Sequence, residues 1–214
     1  MRYLLVPGAG GQAWYWHRLV PLLPDAVAVE LPAADPHAGL VEYADTIVAA
    51  AGPDPGPVTV VAQSMGGLSA PLVCDGLDVR ELVLVNAMIP RPGESGHEWW
   101  AATGHALSEP MEVMHHFFHD VPEDVTAEAM AMGEPQQTER PFDDPWPLPA
   151  WPDVPTRVLT GSHDRFFPPD FQRRVAQERL GLPVELVPGG HLAALSRPEG
   201  LAAALLGVSV SPRR

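Results

Sequence analysis

Six short β-branched or leucine-rich runs, set apart from one another by helical patterns or loops, constrain this chain more than any other feature. They are Tyr3–Val6, Ala26–Val29, Val58–Val61, Leu82–Val85, Arg157–Thr160 and Val184–Val187. Several are apolar at every position. A strand without polar alternation needs cover on both faces, the situation of a parallel sheet held between two layers of helix. Between the second and third runs, Leu40, Val41, Tyr43, Ala44, Ile47, Val48 and Ala51 approximate one apolar helix face at a spacing of about 3.6 residues. Strands alternating with helices predict an α/β fold with six mainly parallel strands. Hydrophobic residues make up 46% of the chain and charged residues 19%. The 26 prolines and 19 glycines therefore punctuate a folding chain rather than a disordered one. At 214 residues, a single domain over 1–214 is the expectation.

Local signals place some boundaries. Pro168 and Pro169 lead into a helical segment that Gly181 closes. Ser196 and Glu199 have the spacing of a capping box at the start of a last helix. Pro71 falls inside the helix expected after residue 65 and predicts a kink. From Ala87 to about Ala150 the alternation breaks, and the stretch is longer than a crossover needs, so it reads as an insertion. It holds twelve acidic residues against Arg91 and Arg140, together with Trp99, Trp100 and the run Met114–His119. A helical cap over a site, at about 87–150, is the economical reading, with Pro141–Pro155 as an extended connector back into the sheet.

Charge and composition remove several classes of function. The formal net charge of −14 argues against nucleic acid, whose phosphates demand a basic footprint. All 13 basic residues are arginine, so no lysine exists for a Schiff base, a lysine-anchored cofactor or a phosphate-binding loop. Cys74 is the single cysteine, which suits a reducing cytosol and excludes an internal disulfide. No basic-then-apolar leader and no run of about 20 apolar residues occurs, so the expectation is a soluble cytoplasmic protein that does not span a membrane.

The chemistry concentrates at three strand ends. Val60-Val61-Ala62-Gln63-Ser64-Met65-Gly66-Gly67 is a strand running into a small-x-Ser-x-small turn and then a helix, the pattern of a nucleophile elbow. Such a turn lifts the Ser64 hydroxyl off the strand end, and the helix start behind it favours a developing oxyanion. A serine needs a base and an acid to orient that base, in the chain order serine, acid, histidine for this kind of sheet. Asp164 follows the fifth run and His191 follows the sixth, within Gly189-Gly190-His191. His163 is a weaker competitor for the base because it precedes the acid. The glycine-rich loop Pro7–Gly11 after the first strand should supply a second donor, so Ala9 and Met65 N–H groups are the expected oxyanion hole. The loop matches no phosphate-binding pattern. His115 and His119 would share a helix face, but without an H-E-x-x-H motif the expectation is no metal and no cofactor.

These residues resemble the α/β-hydrolases, and within them the methylesterase and hydroxynitrile-lyase branch. The resembling segments are Val6–Trp16, the serine elbow, Asp164–Gln172 and Gly190–Pro198. The resemblance implies an α/β-hydrolase fold that starts at what would be the family's third strand. Ala62 stands where glycine is usual in the elbow, and Pro7 where histidine usually precedes the loop glycine. Lyases of the branch look to a lysine after the histidine and a threonine in the oxyanion loop, and here those places hold Leu192 and Gly8. Esterase chemistry on a small, largely apolar ester through Ser64, His191 and Asp164 is the reading this supports. A small-ligand receptor with the same pocket, or lyase or thioesterase chemistry in it, stays open as an alternative.

Overall fold

The computed structural model describes residues 1–107 and 109–208. Ser108 of the insert and residues 209–214 of the expected domain lie outside the described residues. Six strands form one sheet: β1 (Arg2–Val6), β2 (Ala26–Ala28), β3 (Val58–Gln63), β4 (Val79–Val85), β5 (Thr156–Gly161) and β6 (Val184–Val187). Their spatial order is β2-β1-β3-β4-β5-β6, and every pairing is parallel.

The central strands are apolar at successive positions because the sheet is covered on both sides there, whereas the edge strand β6 leaves Glu185 and Leu186 exposed. Leu4, Val6, Val60, Ala62, Leu82, Leu84 and Val158 pack into one core with Tyr43, Ile47 and Val175. Their alternating neighbours Tyr3, Leu5, Val61, Val83, Val85 and Leu159 pack into a second core with Trp16, Leu19 and Leu201. The strand order reverses between β1 and β3, which are neighbours with Val6 opposite Ala62. Chain connections leave in opposite directions there and open a crevice at the carboxyl ends of the strands, the usual place for a ligand in such a sheet.

The helices are α1 (Leu40–Ala51), α2 (Gly66–Ser69), α3 (Gly96–Thr103), α4 (Val113–His116), α5 (Glu123–Ala131), α6 (Arg140–Asp143), α7 (Pro169–Leu180), α8 (Ala193–Ser196) and α9 (Pro198–Leu205). The first and seventh match the sequence expectation, and Gly181 closes α7 with φ +68. Two expectations are corrected. Pro71 does not kink a long helix: α2 ends after one turn and the chain tightens into a 3-10 segment, Ala70–Asp75. The proline has no N–H for an i→i−4 bond, so the α-helical ladder stops. Ser196 is not a cap either, because it is the last residue of α8, and Arg197 at φ −141 and ψ 56 breaks the chain before Pro198 opens α9. A reciprocal capping box stands instead at α3, where Ser95 accepts from the Glu98 N–H and donates its own N–H to Glu98.

Between β4 and β5 the insert carries α3 to α6 and returns through irregular chain after Asp143. It is tied down at several points. Trp99 donates to Ile89 O, Trp146 donates to Leu68 O in α2, and the buried Arg179 of α7 pairs with Glu94. No helix among the described residues is long and apolar enough to cross a membrane.

Cys74 lies in the 3-10 segment, half-buried. Burial, with Asp75 adding to it, pushes its thiol up to about 11. The thiolate is the reactive form, so Ellman's reagent at mildly alkaline pH should modify native Cys74 far more slowly than the unfolded chain. Equal rates would show that the thiol is not protected.

Candidate active site

Strand β3 ends by turning directly into α2, and Ser64 sits on the turn with φ +51. A left-handed backbone is uncommon for a residue that carries a Cβ, and it aims the side chain away from the strand. The turn is possible because the first loop and the elbow meet backbone to backbone. A Cβ on Gly66 would stand 2.7 Å from Pro7 O, and one on Gly8 would stand 2.8 Å from Ser64 Cβ. Both places need glycine for this close approach.

The three residues singled out at strand ends meet in one line. Ser64 Oγ lies 3.1 Å from His191 Nε2, and His191 Nδ1 lies 2.8 Å from Asp164 Oδ2. The other carboxylate oxygen, Asp164 Oδ1, accepts the N–H groups of Phe166 and Phe167, each at 2.8 Å. Asp164 and His191 are 3% and 1% exposed, whereas Ser64 is half-buried and reachable. The rings of Phe117, Phe166 and Phe167 stand edge-on around the imidazole at 5.2, 5.1 and 5.2 Å. They exclude water from the histidine–aspartate pair and strengthen its electrostatics.

Met65 follows Ser64 at the start of α2, and Ala9 follows Gly8 in the loop after β1. Neither N–H meets an acceptor among the described residues. His163 points elsewhere, with an exposed ring whose Nδ1 is 3.2 Å from Ser162 Oγ. The expected shared face of His115 and His119 is corrected: α4 ends at His116 and the chain turns before His119. No group of three or more His, Cys, Asp or Glu side chains able to hold a metal occurs among the described residues.

Side chains that the sequence reading did not single out complete the arrangement. Asn86, fully buried at the end of β4 with φ +48, donates through Nδ2 to Gly190 O and His191 O at 3.1 and 3.0 Å. Its Oδ1 accepts the Gly161 N–H at 2.7 Å, so one amide joins the loop carrying the acid to the loop carrying the histidine. Gln63 also donates to His191 O, at 3.3 Å. A polar residue directly after the all-apolar run Leu82–Val85 was the available signal for Asn86.

A cavity of about 570 Å³ opens beside this line. Pro7, Gly8, Ala9, Gln63, Leu192 and Leu195 line it together with Val113, Phe117, Phe118, Met130 and Met132 of the insert. Glu134 is the only charged side chain among the described lining residues, and it is exposed. Burial pushes the Tyr15 phenol well above its ordinary value, so this lining group is a neutral hydroxyl. A second cavity of about 560 Å³ includes His119, Asp120 and Asp164. Burial holds the His119 imidazole below its ordinary value, Arg165 adding to this while Asp120 and Asp164 oppose it.

Comparison with known proteins agrees with this architecture. Polyneuridine aldehyde esterase superposes with a TM-score of 0.79 at 19% identity, over 96% of this chain and 98% of that one. A methylesterase, MES16 from Arabidopsis, gives 0.74 at 22% identity over 97% and 98%. A pyrethroid hydrolase from Sphingobium faniae JZ-2 gives 0.74 at 20% identity over 97% and 96%. At such identities the likeness establishes the fold. No significant match is found among curated protein sequences. A family model described as alpha/beta hydrolase family matches residues 3–204, nearly the whole described length. The chain belongs to the alpha/beta hydrolase family.

Proposed function

We propose that this protein hydrolyses small, largely apolar carboxylic esters through an acyl-enzyme on Ser64. The observation that carries the reading is the continuous line Ser64 Oγ, His191, Asp164, at 3.1 and 2.8 Å, beside a mostly apolar cavity lined by the chain neighbours Gln63 and Leu192. His191 Nε2 takes the Ser64 proton as Oγ attacks the carbonyl carbon, and Asp164 holds the imidazole in the required orientation and stabilises its cation. The Ala9 and Met65 N–H groups receive the oxyanion. Collapse expels the alcohol, protonated by His191. Water, deprotonated by the same nitrogen, then cleaves the acyl-enzyme and frees the acid.

The insert over 87–150 acts as the cap of this site, since its aromatic and methionine side chains wall the cavity. That lining suits an uncharged aliphatic or aromatic group on the ester. The structural neighbours named above as an esterase, a methylesterase and a pyrethroid hydrolase are consistent with ester cleavage. With Glu134 as the sole charged lining group among the described residues, a neutral ester should be cleaved faster than an isosteric ester bearing a carboxylate. The difference should shrink as salt screens the repulsion. Titration of released acid over a panel of neutral and carboxylate-bearing aryl and methyl esters tests both statements. Folded protein that releases acid from none of the panel would overturn the reading.

A further inference from the structure

We infer that Asp120, in the insert, is the positioning residue that aligns His191, so that seating of the insert and assembly of the catalytic line are one event. The inference rests on the esterase reading for its consequence but on geometry for its substance. Asp120 Oδ2 accepts the Gly190 N–H at 2.8 Å, one residue before the histidine. From the other side Asn86 Nδ2 donates to Gly190 O at 3.1 Å. Both polar groups of one peptide residue are therefore gripped by side chains, one from the end of β4 and one from the turn between α4 and α5.

The grip is close as well as polar. A Cβ on Gly190 would stand 2.8 Å from Asp120 Oδ1 and 2.8 Å from His119 Cε1, so the insert lies directly on the histidine loop. The Asp120 side chain is 14% exposed and its neighbour His119 10%, with Oδ1 and Nε2 4.0 Å apart. Without the carboxylate, the Gly190 N–H would be left with no partner, and Asn86 would hold the loop from one side only. A second contact repeats the design at the other rim of the site. Gln137 Oε1, also from the insert, accepts the Gly10 N–H of the first loop at 2.9 Å. Two side chains of the insert thus each accept an N–H from a glycine one residue away from His191 or Ala9.

Displacing the histidine loop by an ångström would stretch both the Nε2 and the Nδ1 contacts, and misplacement on that scale lowers rates by roughly ten- to a hundredfold. Asp120→Ala should therefore lose or broaden the low-field proton resonance of His191 Nδ1–H. It should also slow labelling of Ser64 by a fluorophosphonate to about that extent, with KM for any cleaved ester nearly unchanged. Asp120→Asn keeps an oxygen acceptor without the charge and should restore both readouts almost fully. An Asp120→Ala protein with the wild-type resonance and labelling rate overturns the inference. So does an Asp120→Asn protein as impaired as Asp120→Ala, since charge rather than the hydrogen bond would then be responsible.

Should Asp120→Ala fail to fold, Asp120→Glu replaces it. Its acceptor is displaced by one methylene with the charge kept, so it should be the more impaired of Glu and Asn, and the reverse order overturns the inference. A wild type without the low-field resonance would overturn it as well. A wild type that shows the resonance but takes no fluorophosphonate would sink the esterase reading alone, leaving the resonance of the variants to decide on Asp120.

Discussion

Ser64→Ala should leave a folded protein that takes no fluorophosphonate adduct, while the wild type gains the mass of one probe. Ester turnover should fall on the order of 10⁴- to 10⁶-fold, the scale seen when a serine nucleophile is removed from an assembled triad. The fold should survive, because alanine keeps the Cβ already accommodated at φ +51 and only one oxygen, reachable by solvent, is lost. His191 Nε2 then has no hydroxyl at 3.1 Å to deprotonate. Intact mass of both proteins after the same exposure decides the matter without any guess about the natural ester. An adduct on the variant would move the nucleophile elsewhere. No adduct on a folded wild type would put the small-ligand receptor ahead of the enzyme.

The largest effect on stability is expected from Trp146→Ala. Trp146 is 2% exposed and lies in the connector that brings the insert back to β5. Its indole donates to Leu68 O at 3.0 Å, and its own N–H donates to Glu94 O at 3.0 Å. Truncating a buried tryptophan costs about 3–5 kcal/mol, against about 5–15 kcal/mol for the whole stability of a typical domain. Trp146→Phe keeps most of the packing but leaves the Leu68 carbonyl without that donor, a loss of about 1–3 kcal/mol. Urea midpoints with unchanged slopes should therefore fall in the order wild type, Phe, Ala. Alanine and wild-type midpoints that coincide would mean that the connector is not anchored to the helix behind Ser64.

The architecture was legible because parallel strands covered on both faces leave continuous apolar runs, and Leu82–Val85 and Tyr3–Val6 carry that signal. The elbow was legible because its strand, its small residues and its serine are contiguous. Asp164 and His191 followed from where strands end. What stayed hidden depends on contacts between distant segments. Asn86 looks like a turn residue until β5 and β6 bring Gly161 and Gly190 to it. Asp120 is one of many acids in an insert whose composition suggests a solvated surface. Ser196 has the spacing of a cap, yet the preceding turn of helix already contains it, which no three-residue pattern can register. The proline at 71 announced an interruption, but only the packed chain shows that the helix stops after Ser69.

The order of the strands along the chain also bears on synthesis. Ser64 follows β3, but its base follows β6, the last strand of the sheet. A hydroxyl without a base is a weak nucleophile, so on the proposed chemistry a nascent chain still lacking β6 carries an unarmed serine. Products of interrupted translation, or of cleavage after β5, could not acylate themselves on passing esters. On that proposal, reactivity arrives only when the final strand docks and brings His191 to Ser64.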